Sequence, residues 1–352
     1  MSDTAVSTDP DFDEDSEGDG LEGGSDSGPN SGPNFAPGSS PQAAAGAPQL
    51  LTVPPGTRAD RLDKVLAGLM PEHSRSRLQG WIEAGKVLVN GGPAKVRQVV
   101  GPDDELTVWT QPAPETQAFA PEPVDFEVVD ASPDWIVVNK PAGLVTHPGA
   151  GNWSGTLLNG LLHRYPELAQ VARAGIVHRL DKDTSGLMVV ARNETAQTHL
   201  VRQLQARSMG REYIALAHGW LGAAGKVDRP IGRDVRVPVR MSVERPVAPK
   251  PAVTHYFPSR RGEVDPGGRV CEVVCRLETG RTHQIRVHMA SLGHPLLADV
   301  LYGGKTVAGA RRQMLHARAL HFEDPGGRGE VQFSAAVPAD MAQVQENIVW
   351  NA

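Results

Sequence analysis

Between residues 57 and 110 the apolar positions recur at helical spacing. Leu62, Val65, Leu66 and Leu69 follow an i, i+3, i+4, i+7 rhythm, which lines one face of a helix, and Pro71 comes just after. Ser74 and Ser76 are N-cap candidates for a second helix, with Gln79 three residues after Ser76. Leu78, Trp81 and Ile82 supply the apolar face of that helix, and Gly85 is a natural stop. Residues 86–89 then read as a strand, 90–92 as a tight turn and 95–100 as a second strand. The expected unit is helix, helix, hairpin. From about 124 to 345 the rhythm changes. Short β-branched runs, clearest at 135–139, 187–191 and 213–217, alternate with Gly/Pro turns and a few short helices. This interval is long enough for one α+β domain built on a mixed sheet with its own core. Residues 111–123, rich in Pro, Gln, Glu and Ala, read as a linker.

Residues 1 to about 50 have almost no core-forming positions. Gly, Pro, Ser, Asn and Asp dominate, so burial cannot offset the entropy of ordering, and the segment is expected to be a disordered acidic tail. That tail changes how the net charge of −6 is understood. Residues 1–57 hold ten carboxylates and no Lys or Arg, which leaves 35 basic against 31 acidic side chains in the rest of the chain. A body charge of +4 is compatible with a polyanionic partner without requiring one. No apolar run approaches the roughly 18 residues of a membrane span, and the acidic N-terminus has no hydrophobic signal core. A cytoplasmic setting and a monomer are the default expectations. Cys271 and Cys275 lie in a strand-like run and are read as small buried hydrophobes, since a metal site needs more ligands at workable spacing.

The densest chemistry lies in 175–191. There two apolar strands flank a polar turn holding His178, Arg179, Asp181, Lys182, Asp183, Thr184 and Ser185. A charged loop held by two core strands is where a rigid active site would be placed. Asp, Thr, Ser and Gly are also ordinary turn formers, and Asp181 or Asp183 acting as backbone caps is the plain alternative. A magnesium-dependent phosphatase reading of Asp181-Lys182-Asp183-Thr184 is opposed by three features. Basic His178 and Arg179 sit where an apolar strand should end, Lys182 would crowd a metal, and no second acidic cluster follows.

Several segments in order resemble one known family. His178-Arg179-Leu180-Asp181 followed by 182–186 resembles the signature of the RluA/RluD family of pseudouridine synthases. Residues 139–148, the tyrosine segment 211–215, the basic segment 280–289, and 292–296 with 315–317 resemble further motifs of that family. Within 61–91, the runs 61–64, 74–79, 82–87 and 89–91 resemble the S4 RNA-binding module. The resemblance spans about 57–345 and implies a pseudouridine synthase fold with a central mixed, mainly antiparallel sheet and an S4-type unit in front.

The resemblance also implies roles. Asp181 would be the catalytic carboxylate, Arg286 its guanidinium partner, and Tyr213 the ring lying against a flipped uracil. Arg179 would fill the gap left in the RNA stack, since base extrusion costs about a few kcal/mol that a guanidinium plane partly restores. His178, Thr184, Arg281 and His283 are the remaining expected substrate-side residues. His178, His283, His288 and His316 are read as hydrogen-bonded around the site rather than as metal ligands or general bases. Lys140 is either positioning or RNA-facing. In the S4-like unit, Arg75, Arg77, Lys86 and Lys95 are the expected phosphate contacts, although eight basic and seven acidic residues between 58 and 110 make its charge ambivalent. Moving a uracil from N1 to C5 attachment adds and removes no group, so neither metal nor cofactor is expected. The expected partner is structured RNA, foremost that of the large ribosomal subunit. An RNA-binding or assembly protein on the same fold is the competing reading.

Overall fold

The computed structural model describes residues 48–111, 118–149, 151–237, 239–266 and 268–351. The acidic tail up to residue 47 lies outside them. The described residues fall into two compact units that part between Pro114 and Glu115.

The smaller unit is built on two helices, Leu62–Leu69 and Arg75–Glu83. Ser74 rather than Ser76 caps the second helix, its hydroxyl accepting from the Arg77 amide at 3.4 Å. Gln79 is drawn elsewhere, to the buried Asp63. Gly85, at φ +69°, turns the chain out of the helix. The strands are β1 (Gln49–Thr52), β2 (Asp60–Arg61), β3 (Val87–Val89), β4 (Gly92–Pro93), β5 (Val99–Val100) and β6 (Glu105–Val108). The expected hairpin is therefore only partly formed. Asn90 and Gly91, both at positive φ, make the turn after β3. The returning strand ends at Pro93, which has no amide proton to continue the ladder. A turn at 95–98 then sends Val99–Val100 to pair with β2, and β6 becomes the main partner of β3. Leu62, Val65, Leu66, Leu78, Trp81 and Ile82 close one core with β3 and β6.

The larger unit is a ten-stranded sheet. Its strands are β7 (Glu127–Ala131), β8 (Trp135–Lys140), β9 (Ser185–Ala191), β10 (Gly210–His218), β11 (Gly225–Asp228), β15 (Val253–Val264), β16 (Gly268–Leu277), β17 (Leu315–Glu323), β18 (Glu330–Ser334) and β19 (Val349–Trp350). The main order is β11-β15-β16-β10-β17-β9-β8-β7, with β18 on β17 and β19 on β15. Every pairing is antiparallel except β17 with β9. The sheet is thus mixed and mainly antiparallel. A separate three-stranded sheet contains β12 (Ile231–Asp234), β13 (Met241–Ser242) and β14 (Pro246–Lys250).

Both faces of the large sheet are covered, which explains the unbroken apolar runs. In β8, Ile136 and Val138 point to the core under the helices Leu157–Arg164 and Gln284–Ser291. Trp135 and Val137 point to the opposite core under the helix Glu194–Ala206. Cys271 and Cys275 are free and fully buried in the first core. Residues 118–123, part of the stretch read as linker, are pinned to this unit. Asn159 Nδ2 donates to the carbonyls of Ala118 and Ala120, and the Asn159 carbonyl accepts from the Glu122 amide. The unit also continues past residue 345 to β19, which pairs with β15.

Candidate active site

The loop 180–184 precedes β9, and four consecutive carbonyls in it each receive a hydrogen bond. Thr146 Oγ1 donates to the Leu180 carbonyl at 2.8 Å, and the Thr184 amide to that of Asp181 at 3.1 Å. The Gly143 amide and Lys140 Nζ both donate to the Lys182 carbonyl at 2.9 Å. Arg312 Nη1 donates to the Asp183 carbonyl at 2.8 Å. Lys140 is wholly buried, and its other two contacts are the carbonyls of Pro141 and Leu144 at 2.9 and 2.8 Å. Three acceptors match the three donors of an ammonium, so Lys140 faces inward and splints the loop. Burial pulls its pKa down to about 7, against the nearby carboxylates of Asp181 and Asp183. Immediately after the loop stands Gly186 at φ +119°, where an added Cβ would lie 2.2 Å from the Ala317 carbonyl oxygen. Only glycine lets β9 approach β17 there and bring the loop beside the rest of the site.

Asp181 projects from this loop toward the helix Gln284–Ser291. Arg286 Nη1 donates to Asp181 Oδ2 at 3.0 Å. The opposite edge of the same guanidinium grips Asp299 through two bonds, Nε to Oδ2 at 2.8 Å and Nη2 to Oδ1 at 3.0 Å. Asp299 is buried and was not singled out from the sequence. It fixes Arg286 so that one edge remains for Asp181. Tyr302 completes the support. Its ring lies 5.1 Å from the Arg286 guanidinium, and its hydroxyl bonds the Met241 amide at 2.9 Å and His283 Nδ1 at 2.8 Å. Burial alone would raise the Asp181 pKa. His283, Arg286 and Arg179 outweigh it and bring the value down to about 2, so the carboxylate is ionised at neutral pH.

Asp181, Tyr213, Arg286, Arg179, His178, Thr184, Arg281 and His283 all line one cavity of about 260 Å³. A second hollow of about 190 Å³ shares Arg179, Asp181, His283 and Arg286 with the first and adds Thr146, His147 and Arg233. Tyr213 is buried, and a register shift between Glu212 and Tyr213 in the pairing of β10 with β17 re-aims its side chain. Burial pushes its hydroxyl pKa up to about 12, so it is a neutral phenol. Arg179 is exposed at the mouth. Three polar atoms of the cavity lining are buried without a hydrogen-bond partner among the described residues: His178 Nδ1, Thr184 Oγ1 and Arg211 Nε. Buried orphans of this kind are uncommon and mark a place where a polar ligand or water completes the bonding. His178 Nε2 accepts from the Val189 amide at 3.2 Å, and burial beside Arg211 pushes its pKa down to about 3, so it is neutral. His288 bonds Thr254 and the Arg229 carbonyl, and His316 bonds Ser185. Arg281 donates to the Pro251 carbonyl at 3.2 Å.

The cations of the smaller unit are differently placed. Arg75 is held by Asp63 through Nε at 2.8 Å and Nη2 at 2.6 Å, alongside Arg61 and Gln79. Arg77 donates to the Gln111 carbonyl at 3.1 Å and lies 5.5 Å from the Trp81 ring. Lys86 is half-buried and Lys95 exposed.

The family model described as RNA pseudouridylate synthase matches residues 134–291, and that of the S4 domain matches residues 60–106. A protein of Neisseria meningitidis serogroup B named ribosomal large subunit pseudouridine synthase D is 49% identical over 302 residues, covering 83% of this chain and 79% of that one. Proteins of the same name from Vibrio parahaemolyticus and Escherichia coli are 46% and 44% identical over 309 residues each, covering 84% of this chain and 93% and 92% of theirs. Among solved structures, human RNA pseudouridylate synthase domain containing 1 superposes with a TM-score of 0.52 at 28% identity, covering 65% of this chain and 90% of that one.

Proposed function

The chain belongs to the RNA pseudouridylate synthase family and carries an S4 domain, and from that premise we propose that it converts uridines of large-subunit ribosomal RNA to pseudouridine with Asp181 as its catalytic carboxylate. The observation that carries the assignment is the Asp299–Arg286–Asp181 array. It presents one ionised carboxylate to a cavity whose other walls hold a neutral tyrosine and unpartnered polar atoms.

In the reaction the N1–C1′ bond breaks, the uracil turns, and C5 bonds to C1′. The proton leaves C5 and a proton ends on N1, so the product is an isomer. Whether the carboxylate adds to carbon or removes a proton, it must be unprotonated, and Arg286 with His283 keeps it so. Arg286 also fixes the direction in which the second carboxylate oxygen points. Tyr213 offers a flat face to the ring. The unpartnered atoms of His178, Thr184 and Arg211 offer donors and acceptors for the polar edge of uracil. Extruding the base leaves a gap in the RNA stack, which the Arg179 guanidinium fills; its exposure supports that reading. The S4 unit adds phosphate contacts through Arg77, Lys86 and Lys95, while Arg75 reaches RNA only in competition with Asp63. The protein acts as a monomer in the cytoplasm, where ribosomes are assembled.

The substrate is tested by incubating the protein with unmodified transcripts of large- and small-subunit ribosomal RNA and mapping pseudouridine by carbodiimide-dependent primer-extension stops. Discrete stops in the large-subunit transcript alone are expected. Modification of the small-subunit transcript alone would overturn the substrate assignment.

A further inference from the structure

The charge of the chain is divided unevenly along its length. All ten carboxylates of residues 1–57 lie between Asp3 and Asp26, with no basic side chain among them. Residues 27–47 carry no charge at all, so a neutral stretch of 21 residues joins the acidic run to the smaller unit just before β1. The strand order decides where that stretch arrives. β6 lies between β1 and β3. Gln49, the first residue of β1, pairs with Val108, and Val108 pairs on its other side with Val87. Next along, the Trp109 amide donates to the Lys86 carbonyl at 3.0 Å, and the Gln111 carbonyl accepts from Arg77 Nη2 at 3.1 Å. The chain therefore enters at the end of the sheet that carries Lys86 and Arg77. The unit's own acidic run, Asp103, Asp104 and Glu105, lies at the opposite end, where Glu105 pairs with Thr52.

These two cations are open to a partner. Ion pairs occupy other basic residues of the unit, Arg61 and Arg75 on Asp63 and Lys64 on Asp60. Arg77 and Lys86 have no carboxylate partner among the described residues. Glu83, three residues before Lys86, is exposed and pairs with neither. Arg77 Nε is buried and bonds nothing among the described residues. The tether is long enough to bring the acidic run here. A chain spans at most about 3.3–3.6 Å per residue, so the neutral stretch reaches up to about 70–75 Å. A unit of this size has a radius of gyration of only about 10 Å.

We propose that the acidic run 3–26 docks on the Arg77–Lys86 face of the S4 unit and competes there with RNA phosphates, as a stand-in polyanion built into the chain. The competition rests on the reading of Arg77 and Lys86 as phosphate contacts. Tethering makes the docking intramolecular, at an effective concentration of about 1 mM. Non-specific polyanion contacts hold with a Kd of about 10⁻⁴ M or tighter. At those values the run occupies the face about nine-tenths of the time and weakens RNA binding about 10-fold. A weak, sequence-independent encounter is thereby rejected, while a ribosomal RNA site that also fills the Asp181 cavity displaces the run. Salt screens the docking, so the penalty shrinks as ionic strength rises.

The test uses the full chain. Carbodiimide coupling joins a carboxylate to an amine only where the two touch, and peptide mapping then locates the bond. Bonds within one molecule between residues 3–26 and Lys86 are expected, suppressed by about 1 M salt and by excess large-subunit ribosomal RNA transcript. An acidic run coupled only to lysines of the larger unit, or to none, would overturn the docking. Kd for the transcript is then measured by filter binding for four proteins: wild type, the ten carboxylates of residues 3–26 replaced by Asn or Gln, Arg77→Ala/Lys86→Ala, and both sets together. Neutralising the run is expected to tighten binding about 10-fold at low salt with the two cations present, and less than about twofold without them. An equal gain in both backgrounds would be general repulsion of RNA and would overturn competition at this face. The parent reading is judged separately in the neutralised protein, where losing Arg77 and Lys86 should weaken binding. If it does not, that reading and the competition fail together, and the coupling to Lys86 alone decides the docking.

Discussion

Asp299→Asn tests the array around the Asp181 carboxylate without touching that carboxylate itself. Asn has the size of Asp but carries no charge and presents one oxygen and one NH₂. At least one of the two bonds to Arg286, at 2.8 and 3.0 Å, is therefore lost, and an amide donor is set against a guanidinium donor. Breaking a buried ion pair costs about 3–5 kcal/mol when the surviving charge is left alone, and Arg286 keeps Asp181, so about 2–3 kcal/mol is the expected loss of stability. For a unit of this size that corresponds to about 5–10 °C in Tm. The kinetic effect comes from lost orientation. A misplacement of about 1 Å at a reacting group costs about 100-fold, so kcat should fall by about 10- to 100-fold while KM for RNA stays within about twofold. The split between kcat and KM is the readout that a merely structural Asp299 would not produce. Single-turnover tritium release from C5-labelled RNA and thermal unfolding together measure both effects. Wild-type kcat in a destabilised Asp299→Asn protein would refute the claim that Asp299 aims Arg286.

Lys140→Met should loosen the 180–184 loop from within, leaving the carbonyls of Pro141, Leu144 and Lys182 short of a donor. A loss of about 2–4 kcal/mol in unfolding free energy is expected by denaturant titration, with a larger drop in turnover than in RNA affinity. An RNA-facing lysine would give the reverse pattern. In the S4 unit, Asp63→Asn should destabilise at neutral pH, because Asp63 gathers Arg61, Arg75 and Gln79. Burial raises the Asp63 pKa, but the bonds from Gln79, Arg75 and Arg61 bring it down to about 2. Its contribution is therefore full above the unfolded value of 3.8 and fades as pH falls toward 2, so wild type and variant should converge in acid melts. A constant gap across that window would contradict the linkage.

Much of the site was legible because its residues sit in short runs with distinctive chemistry. The polar turn at 178–185 between two apolar strands marked a candidate site, the family resemblance of that turn and of the basic run singled out Asp181, Arg179, Arg286 and His283, and the fold brings these four to one cavity. What escaped was set by tertiary pairing. Asp299 lies 13 residues beyond Arg286, past a turn, with no local pattern marking it as an ion-pair partner. The inward course of Lys140 depends on carbonyls that only the folded loop supplies. Arg75 reads as a free cation until Asp63 is seen 12 residues upstream with its carboxylate turned toward it. The short β4 and the pairing of β5 with β2 were missed because the apolar run near 99–100 fits any strand partner, and only turn geometry selects it.

The central claim is that Asp181 carries the isomerisation. It is tested most directly by tritium release from RNA transcribed with C5-tritiated uridine, in EDTA, with wild type and Asp181→Asn. Forming the C5–C1′ bond must expel the C5 hydrogen, so release by wild type and none by the variant, with RNA binding retained in both, is the predicted result. Release by Asp181→Asn at a rate near that of wild type would contradict the account.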